Sequence, residues 1–147
     1  MSHCVSIKTK LTDLAAVKLA CEEMGLTFKP DQKHYKWWGT SVGDYPLPNG
    51  FTKADLGKCE HAIGVPGTDW EVGVCKLKDG SGYTLLYDFY GSSGQPILKA
   101  LGGEQAPKFV QTYGVHKATL EAKKKGYFVT RTVNTQGQPR LVITGVK

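Results

Sequence analysis

The sequence predicts an α+β fold: a single domain over residues 1–147, with an antiparallel sheet of about six strands and two longer helices packed on one face. Several short stretches alternate apolar and polar residues, and two segments carry apolar residues at helical spacing. The predicted order is strand, helix, several strands, helix and two strands, which differs from the regular strand–helix alternation of a parallel sheet. At 147 residues the chain can bury a core without disulfides.

The first two elements are a short strand and a capped helix. "CVSIKT" alternates apolar with polar residues and predicts a strand. In the helix that follows, Thr12 or Asp13 caps the start and Gly25 ends it. Cys21 lies on the apolar side of this helix, so we expect a buried, unreactive thiol; the four cysteines of the chain are expected to be free.

The middle of the chain predicts four strands and one long irregular connection. "HYKWWGTSV" is predicted to be a strand with Tyr35 and Trp37 on one face and Trp38 on the other. Residues 44–58 contain prolines and an Asn-Gly turn, which predicts an irregular connection. "HAIGV", "WEVGVCKL" and "YTLLYDFY" are predicted strands, and the Asp-Gly in "KDGSG" predicts a hairpin between the last two.

The last third of the chain predicts two helices and a hairpin. "QPILKALG" indicates a short helix with Pro96 at an early position, where proline is tolerated. A longer helix is expected over about residues 105–125 from its helical spacing of apolar side chains. "YFVTRTVN" and "RLVITG" then form a hairpin around "TQGQ".

The charge is unevenly distributed. Residues 1–95 hold 10 Lys against 11 Asp plus Glu, whereas residues 96–147 hold 7 Lys and 2 Arg against 2 Glu, so the formal charge of +6 comes from the last third. This asymmetry favours an anionic partner, although net charge also serves solubility. No apolar run of membrane-spanning length and no secretory signal pattern is visible, so we expect a cytoplasmic protein without membrane contact.

The lysine run Lys123, Lys124 and Lys125 has two interpretations. It stands in the last turn before Gly126, where cations complement the carbonyl end of a helix. The alternative to this capping role is a basic patch that would meet phosphate.

The stretch "GSSGQP" also has two interpretations. As a loop between a strand and a helix it is a flexible connection, or its backbone N–H groups bind an anion at the helix start. The candidate residues are Gly91, Ser92, Ser93, Gly94 and Gln95.

"KHYKWW" interleaves Lys33, His34 and Lys36 with three aromatic rings. Such interleaving is typical of surfaces that stack bases and bind phosphates, but the rings also suit a core and an interface. In either case Trp38 is the ring expected to remain outside the core.

Other chemistry is weakly indicated. "GTSVG" matches a nucleophile elbow at Ser41, but "DYPLPNG" after it does not form the helix that this motif needs. Asp88 lacks an identified acid–base partner and is interpreted as a structural carboxylate. Four side chains have the right type for zinc but not its usual spacing, so no metal is expected: His3, Cys4, Cys59 and His61. No cofactor motif is present.

Several segments together resemble a small uncharacterised family, a conserved plastid open reading frame that is found in red-algal plastids, cyanobacteria, other bacteria and phages. They are "MSH" with "IKTKLTD" and a helix ending in Met-Gly-Leu, then "YTLLYDFYG", then "YGVHKATLEAKKKGY". The resemblance covers the first 26 residues and most of residues 70–147, whereas residues 30–69 are longer than the family pattern. It implies a compact intracellular domain and supplies no catalytic residue. Relatives encoded near an AAA-type ATPase suggest an adaptor.

The sequence therefore favours a non-catalytic binding protein for a phosphate-bearing ligand. The expected ligand is either nucleic acid or a small molecule of the nucleotide type. In the second case the protein would sequester a nucleotide signal. The basic last third, the "GSSGQ" stretch and Trp38 would form the site. The alternative is a protein–protein adaptor or a homo-oligomeric component, with an AAA-type ATPase as one candidate partner.

Overall fold

The structure is a computed structural model that describes residues 3–40, 43 and 45–146. Within these residues the strands are β1 (Cys4–Ser6), β2 (Thr27–Lys29), β3 (His61–Gly64), β4 (Glu71–Lys76), β5 (Tyr83–Asp88), β6 (Tyr127–Val133) and β7 (Pro139–Val146). The α-helices are α1 (Leu14–Met24), α2 (Gly91–Leu101) and α3 (Pro107–Lys124). A single 3-10 turn, Lys53–Asp55, interrupts the long connection between β2 and β3.

Five strands form the main sheet in the order β1-β5-β4-β3-β2, and every neighbouring pair is antiparallel. The predicted α+β class, with an antiparallel sheet and helices on one face, is confirmed. The strand count differs, because seven strands form two sheets where about six were expected in one. The β6–β7 hairpin follows α3 and packs against it instead of extending the main sheet.

The main core lies between the three helices and one face of the sheet. Alternate residues of β3, β4 and β5 point to this side, as the period-two pattern predicts. The buried side chains include Val5, Ile7, Val17, Cys21, Ile63, Val72, Val74, Leu85, Tyr87, Ile97, Leu101 and Phe109.

Helix α1 is closed at both ends as its sequence predicts. Asp13 Oδ1 accepts from the N–H of Ala16 at 3.2 Å, and Gly25 adopts a left-handed φ of 72°. The N–H of Leu26 then donates to the carbonyl of Cys21 at 2.8 Å, which completes a Schellman closure. The predicted burial of Cys21 is also confirmed, and burial raises the pKa of its thiol to about 12, so the thiol is unreactive at neutral pH.

The second face of the sheet is covered by irregular chain. From the sheet, this face presents Cys4, Ala62, Cys75 and Leu86. The described residues between 35 and 59, which we call the covering segment, bury Tyr35, Leu56 and Cys59 against it, with Trp37, Leu47 and Phe51 packed beside them. Over its described residues, 45–58, the irregular connection predicted for residues 44–58 is therefore present, as a layer of the fold.

The strand predicted for "HYKWWGTSV" is wrong over its described residues. His34 makes an isolated bridge to Lys58, and the chain then crosses the face of the sheet. The strand position at this edge is taken by β2, three residues that the sequence pattern did not reveal. A segment lying across a sheet also alternates buried and exposed side chains, so the period alone could not separate the two.

Tyr35 approaches the sheet closely because β4 has a glycine beneath its ring. A Cβ on Gly73 would lie 2.5 Å from Cε1 of Tyr35, which is closer than any real contact of this kind. The ring of Tyr35 is 3% exposed and anchors the covering segment. The glycine is therefore required for the second layer to pack.

We expect Gly73→Ala to destabilise the protein by about 1–3 kcal/mol, because the added methyl overpacks against Tyr35. Gly114→Ala is the matched control: Gly114 lies within α3 with nothing within 4 Å of its Cβ position. That change should stabilise by about 0.5–1 kcal/mol. Chemical denaturation measures both, and equal effects of the two substitutions would contradict the packing described.

A carboxylate of α1 links the hairpin to the helical layer, in addition to the packing of the hairpin against α3. Glu23, at the end of α1, accepts from both terminal nitrogens of Arg131 on β6, at 2.5 and 2.8 Å. His116 Nε2 on α3 lies 2.9 Å from the same carboxylate. The hydrogen bond from Arg131, with a smaller contribution from His116, lowers the pKa of Glu23 to about 2.

This attachment should be sensitive to acid. The pKa of Glu23 is depressed from an ordinary value of 4.5 to about 2, so its contribution is complete above pH 4.5 and is lost as pH falls through about 2. Glu23→Gln should reduce hydrogen-exchange protection of the β6–β7 amides and remove this pH dependence. Glu121→Gln, at an exposed pair 3.9 Å from Lys117, is the control. Unchanged hairpin protection in Glu23→Gln would contradict the assignment.

Candidate ligand-binding site

Two clefts adjoin at the connection between β3 and β4. The larger has a volume of about 740 Å³ and the smaller about 500 Å³. Both are lined by Thr68, Asp69 and Trp70, so the two clefts share this wall, and we call the pair the β3–β4 cleft. Its further lining residues include Lys29, Lys33, His34 and Lys36 on one side and Ser92 and Ser93 on the other.

A buried glutamate fixes the cationic wall of the β3–β4 cleft. Glu71 is 4% exposed and accepts from Lys29 Nζ at 2.7 Å, from Gln32 Nε2 at 3.0 Å and from the backbone N–H of Lys36 at 3.0 Å. Burial alone would raise the pKa of Glu71, but these donors together hold that pKa below its usual value. Glu71 therefore positions the residues from Lys29 to Lys36 and stays ionised.

One lysine of this wall remains available to a ligand. Lys29 is paired with Glu71, and Lys33 with Glu60 at 2.9 Å. Lys36 forms no ion pair with any residue that the structure describes. Its side chain is therefore the unneutralised cation at this wall, next to the exposed His34.

The stretch predicted as a loop, Gly91 to Gln95, is the beginning of α2. Helix α2 starts at Gly91, and its N-cap residue, Tyr90, makes no side-chain capping hydrogen bond. The first N–H groups of a helix have no acceptor within it, so this end favours an anion. Thr68 Oγ1 donates to the carbonyl of Ser93 at 2.6 Å, which ties the helix start to the shared wall of the cleft.

Two details of this helix start differ from the sequence prediction. Gln95 is engaged, because its Nε2 donates to the carbonyl of Phe89 at 2.9 Å. Pro96, predicted at an early position of a short helix, is the sixth residue of an eleven-residue one. Gly94 in the first turn is required for a different reason: a Cβ there would lie 2.7 Å from Cα of Phe89, so only glycine fits against the end of the preceding segment.

The ring beside the β3–β4 cleft is Trp70, which the sequence reasoning did not single out. Trp70 is half-buried and contacts the main core while lining both parts of the cleft. Trp38 is 60% exposed, as predicted, but does not line this cleft. The signal for Trp70 was its place in the turn "PGTDW", where a large ring after polar turn residues marks a surface position.

The lysine run lies elsewhere. Lys123 and Lys124 are in the last turn of α3, Lys125 is its C-cap, and the N–H of Gly126 donates to the carbonyl of Lys123 at 3.0 Å. Lys123 lines a separate cleft between α1, α3 and β6. The run belongs to the helical side of the sheet, whereas the aromatic segment covers the opposite face, so the structure does not gather the three predicted features into one site.

The remaining candidates are explained by structure or lie outside the described residues. Asp88 is fully buried, and its Oδ1 accepts from the backbone N–H groups of His3 at 3.3 Å and Tyr90 at 3.0 Å, as a structural carboxylate would. Ser41 lies outside the described residues. In the described part of the chain, no group of three or more His, Cys, Asp or Glu side chains is placed to hold a metal, and no helix has the length and apolar character to cross a membrane.

Comparison with known proteins found no matching family model, no matching curated protein and no matching solved structure. The resemblance to the plastid open reading frame family therefore stays a prediction, and any function has to be argued from the geometry of the chain itself.

Glu71→Gln should weaken the wall of the β3–β4 cleft and destabilise the protein by about 1–3 kcal/mol, because the charge-assisted hydrogen bonds of a buried acceptor are lost. Hydrogen exchange should show faster exchange at residues 32–36. Glu60→Gln removes an exposed partner of Lys33 and should change stability by less than about 0.5 kcal/mol. If both variants behave alike, Glu71 is not the anchor.

Proposed function

We propose that the protein is a non-catalytic binding protein for a phosphate-bearing small molecule of the nucleotide type, bound in the β3–β4 cleft. The observation that carries the proposal is the meeting, across Thr68–Trp70, of an uncapped helix start with a cationic wall. The ligand class is the one expected from the sequence, but the site lies away from the lysine run.

Each part of the cleft has a distinct role in this proposal. The first-turn N–H groups of α2 at Ser92 and Ser93 bind the phosphate, and the ammonium of Lys36 neutralises its charge. The face of Trp70 offers a surface for a base. Asp69 in the shared wall accepts from the hydroxyl groups of a sugar. Ligand pockets usually measure about 300–1,000 Å³, and the two adjoining volumes, 740 and 500 Å³, are large enough for such a molecule.

The same residues support binding without chemistry. Glu71 has three donors on its carboxylate, and Lys29 and Lys33 are each paired, so these groups offer no free base or acid. A cytoplasmic location, where nucleotides are abundant, is part of the proposal.

A second function, a protein–protein adaptor or oligomeric component, is favoured by a different observation. Six large apolar side chains of the described residues are exposed, and four of them lie on the β6–β7 hairpin. They are Trp38, Tyr90, Phe128, Val133, Val142 and Ile143. Exposed apolar side chains gathered on one element mark an interaction surface.

A thermal-shift panel tests the first proposal with ATP, ADP, AMP, inorganic phosphate and adenosine. We expect the nucleotides to raise the melting temperature, because a ligand that binds only the folded state stabilises it by about 2.7 kcal/mol at a hundred times its Kd. Adenosine should not raise it, because adenosine lacks the phosphate that the site binds. Lys36→Glu should abolish the shift. Lys124→Glu, the same charge change outside the cleft, should leave it intact.

The opposite pattern would contradict the location of the site. If Lys124→Glu removes the shift and Lys36→Glu does not, the lysine run binds the ligand. If a single-stranded oligonucleotide binds with an affinity that falls steeply with salt and depends on Lys124, the ligand is nucleic acid.

A further inference from the structure

The β6–β7 hairpin exposes apolar surface on an element that stands apart from the main sheet. The exposed fractions are 55% for Phe128, 67% for Val133, 38% for Val142 and 49% for Ile143. A two-stranded hairpin has two edges, and isolated hairpins are only marginally stable in water. Its attachment to Glu23 through Arg131 therefore holds these edges in a fixed place.

The outer edge of β7 presents free backbone groups. The N–H of Asn134 donates to the carbonyl of Gln138 at 2.9 Å, and inward bonds recur at every second residue from there. This alternation holds as far as Thr144, after which the register shifts at Gly145. Leu141 and Ile143 thus direct their N–H and C=O groups outward. Among the described residues, neither of them forms a backbone hydrogen bond with another element.

Between its two ends this edge lacks the features that usually protect an edge strand. Such strands carry lysines, prolines or bulges that prevent pairing with another chain. Strand β7 begins at Pro139 and its register shifts at Gly145, but residues 141–144, "LVIT", contain no charged residue, no proline and no bulge, and three of the four are β-branched. On β6, by contrast, the outward residue Arg131 is committed to Glu23. The β7 edge is therefore the more competent template for an added strand.

The surroundings of this edge are cationic. Residues 122–147 contain six Lys plus Arg and no Asp or Glu. Within the described part of this segment Arg131 is paired by Glu23, and the structure gives no ion pair to Lys123, Lys124, Lys125 and Arg140. An apolar strand edge beside unneutralised cations is complementary to an extended segment that alternates apolar with acidic residues.

We propose that the outer edge of β7 binds an acidic, extended segment of a partner protein as an added strand. Main-chain hydrogen bonds at Leu141 and Ile143 supply the pairing, and the flanking cations select acidic side chains. A second copy of this chain is disfavoured, because it would place two segments without acidic residues against each other. This binding mode rests on the adaptor function, whose partner chemistry it specifies, and is independent of the β3–β4 cleft.

The test uses a blocked peptide of about nine residues that alternates Val or Thr with Glu, titrated into the ¹⁵N-labelled protein, since this length matches an ordinary strand. We expect amide shifts at Leu141 and Ile143. Ile143→Pro removes an outward N–H without breaking the inward bonds at residues 142 and 144, and it should weaken binding about tenfold or more. Val133→Pro makes the same change on the opposite edge and should stay within about twofold.

Other results would overturn the inference. These are equal binding by Ile143→Pro and the unmodified protein, tighter binding of the peptide with Lys in place of Glu, or no binding at millimolar peptide. A concentration-dependent dimer lost in Ile143→Pro would identify a second copy as the occupant. A single-stranded oligonucleotide that displaces the peptide at matched salt would identify a nucleic-acid surface. None of these outcomes depends on nucleotide binding in the β3–β4 cleft.

Discussion

The five-stranded sheet is buried on both faces, by helices on one side and by the described residues of the covering segment on the other, and the rest of the structure depends on this double burial. A covering segment that adds no strand to the sheet is held largely by its side-chain packing, so its rings need a surface that they can approach closely. The sheet provides one: on the second face, Ala62 and Gly73 are small, and the ring of Tyr35 occupies the space above Gly73. The buried carboxylate of Glu71 then fixes the start of the segment.

This arrangement places the aromatic segment and the lysine run on different sides of the sheet, whereas the sequence predicted that they form one site. The covering segment brings Lys36 and His34 to the connection between β3 and β4, where α2 also begins. The end of α3 and the hairpin lie with the helical layer, on the other side of the sheet, and carry most of the excess charge. The proposed anion site and the proposed strand edge therefore lie on different parts of the molecule, and each can be altered without the other.

The parts of the fold that the sequence predicted correctly are those decided by neighbouring residues. Asp13 and Gly25 close α1 through contacts within one turn, and the Asp79-Gly80 turn joins β4 to β5 through bonds within five residues. The lysine run was correctly placed at the end of a helix for the same reason. Local chemistry is sufficient in each case.

The errors arose where distant residues decide. The chain after His34 alternates apolar and polar residues as a strand does. In the structure its described residues pack across the face of the sheet, with His34 in an isolated bridge. Glycine and serine are poor helix formers, yet Gly91 to Gly94 are helical, and Gly94 lies so close to Phe89, five residues earlier, that no side chain fits there. Trp70 becomes a candidate ligand-binding residue only in the folded structure, where it lines both parts of the β3–β4 cleft. No pattern in the sequence states which side of a sheet a segment will reach.

Amide chemical-shift mapping with ATP is the most direct test of the β3–β4 cleft, because it locates the ligand without presupposing a residue. We predict that shifts concentrate at residues 33–36, 68–70 and 91–94 and leave residues 123–146 unchanged. Shifts concentrated at residues 123–126, with none beside Trp70, would contradict a site in this cleft.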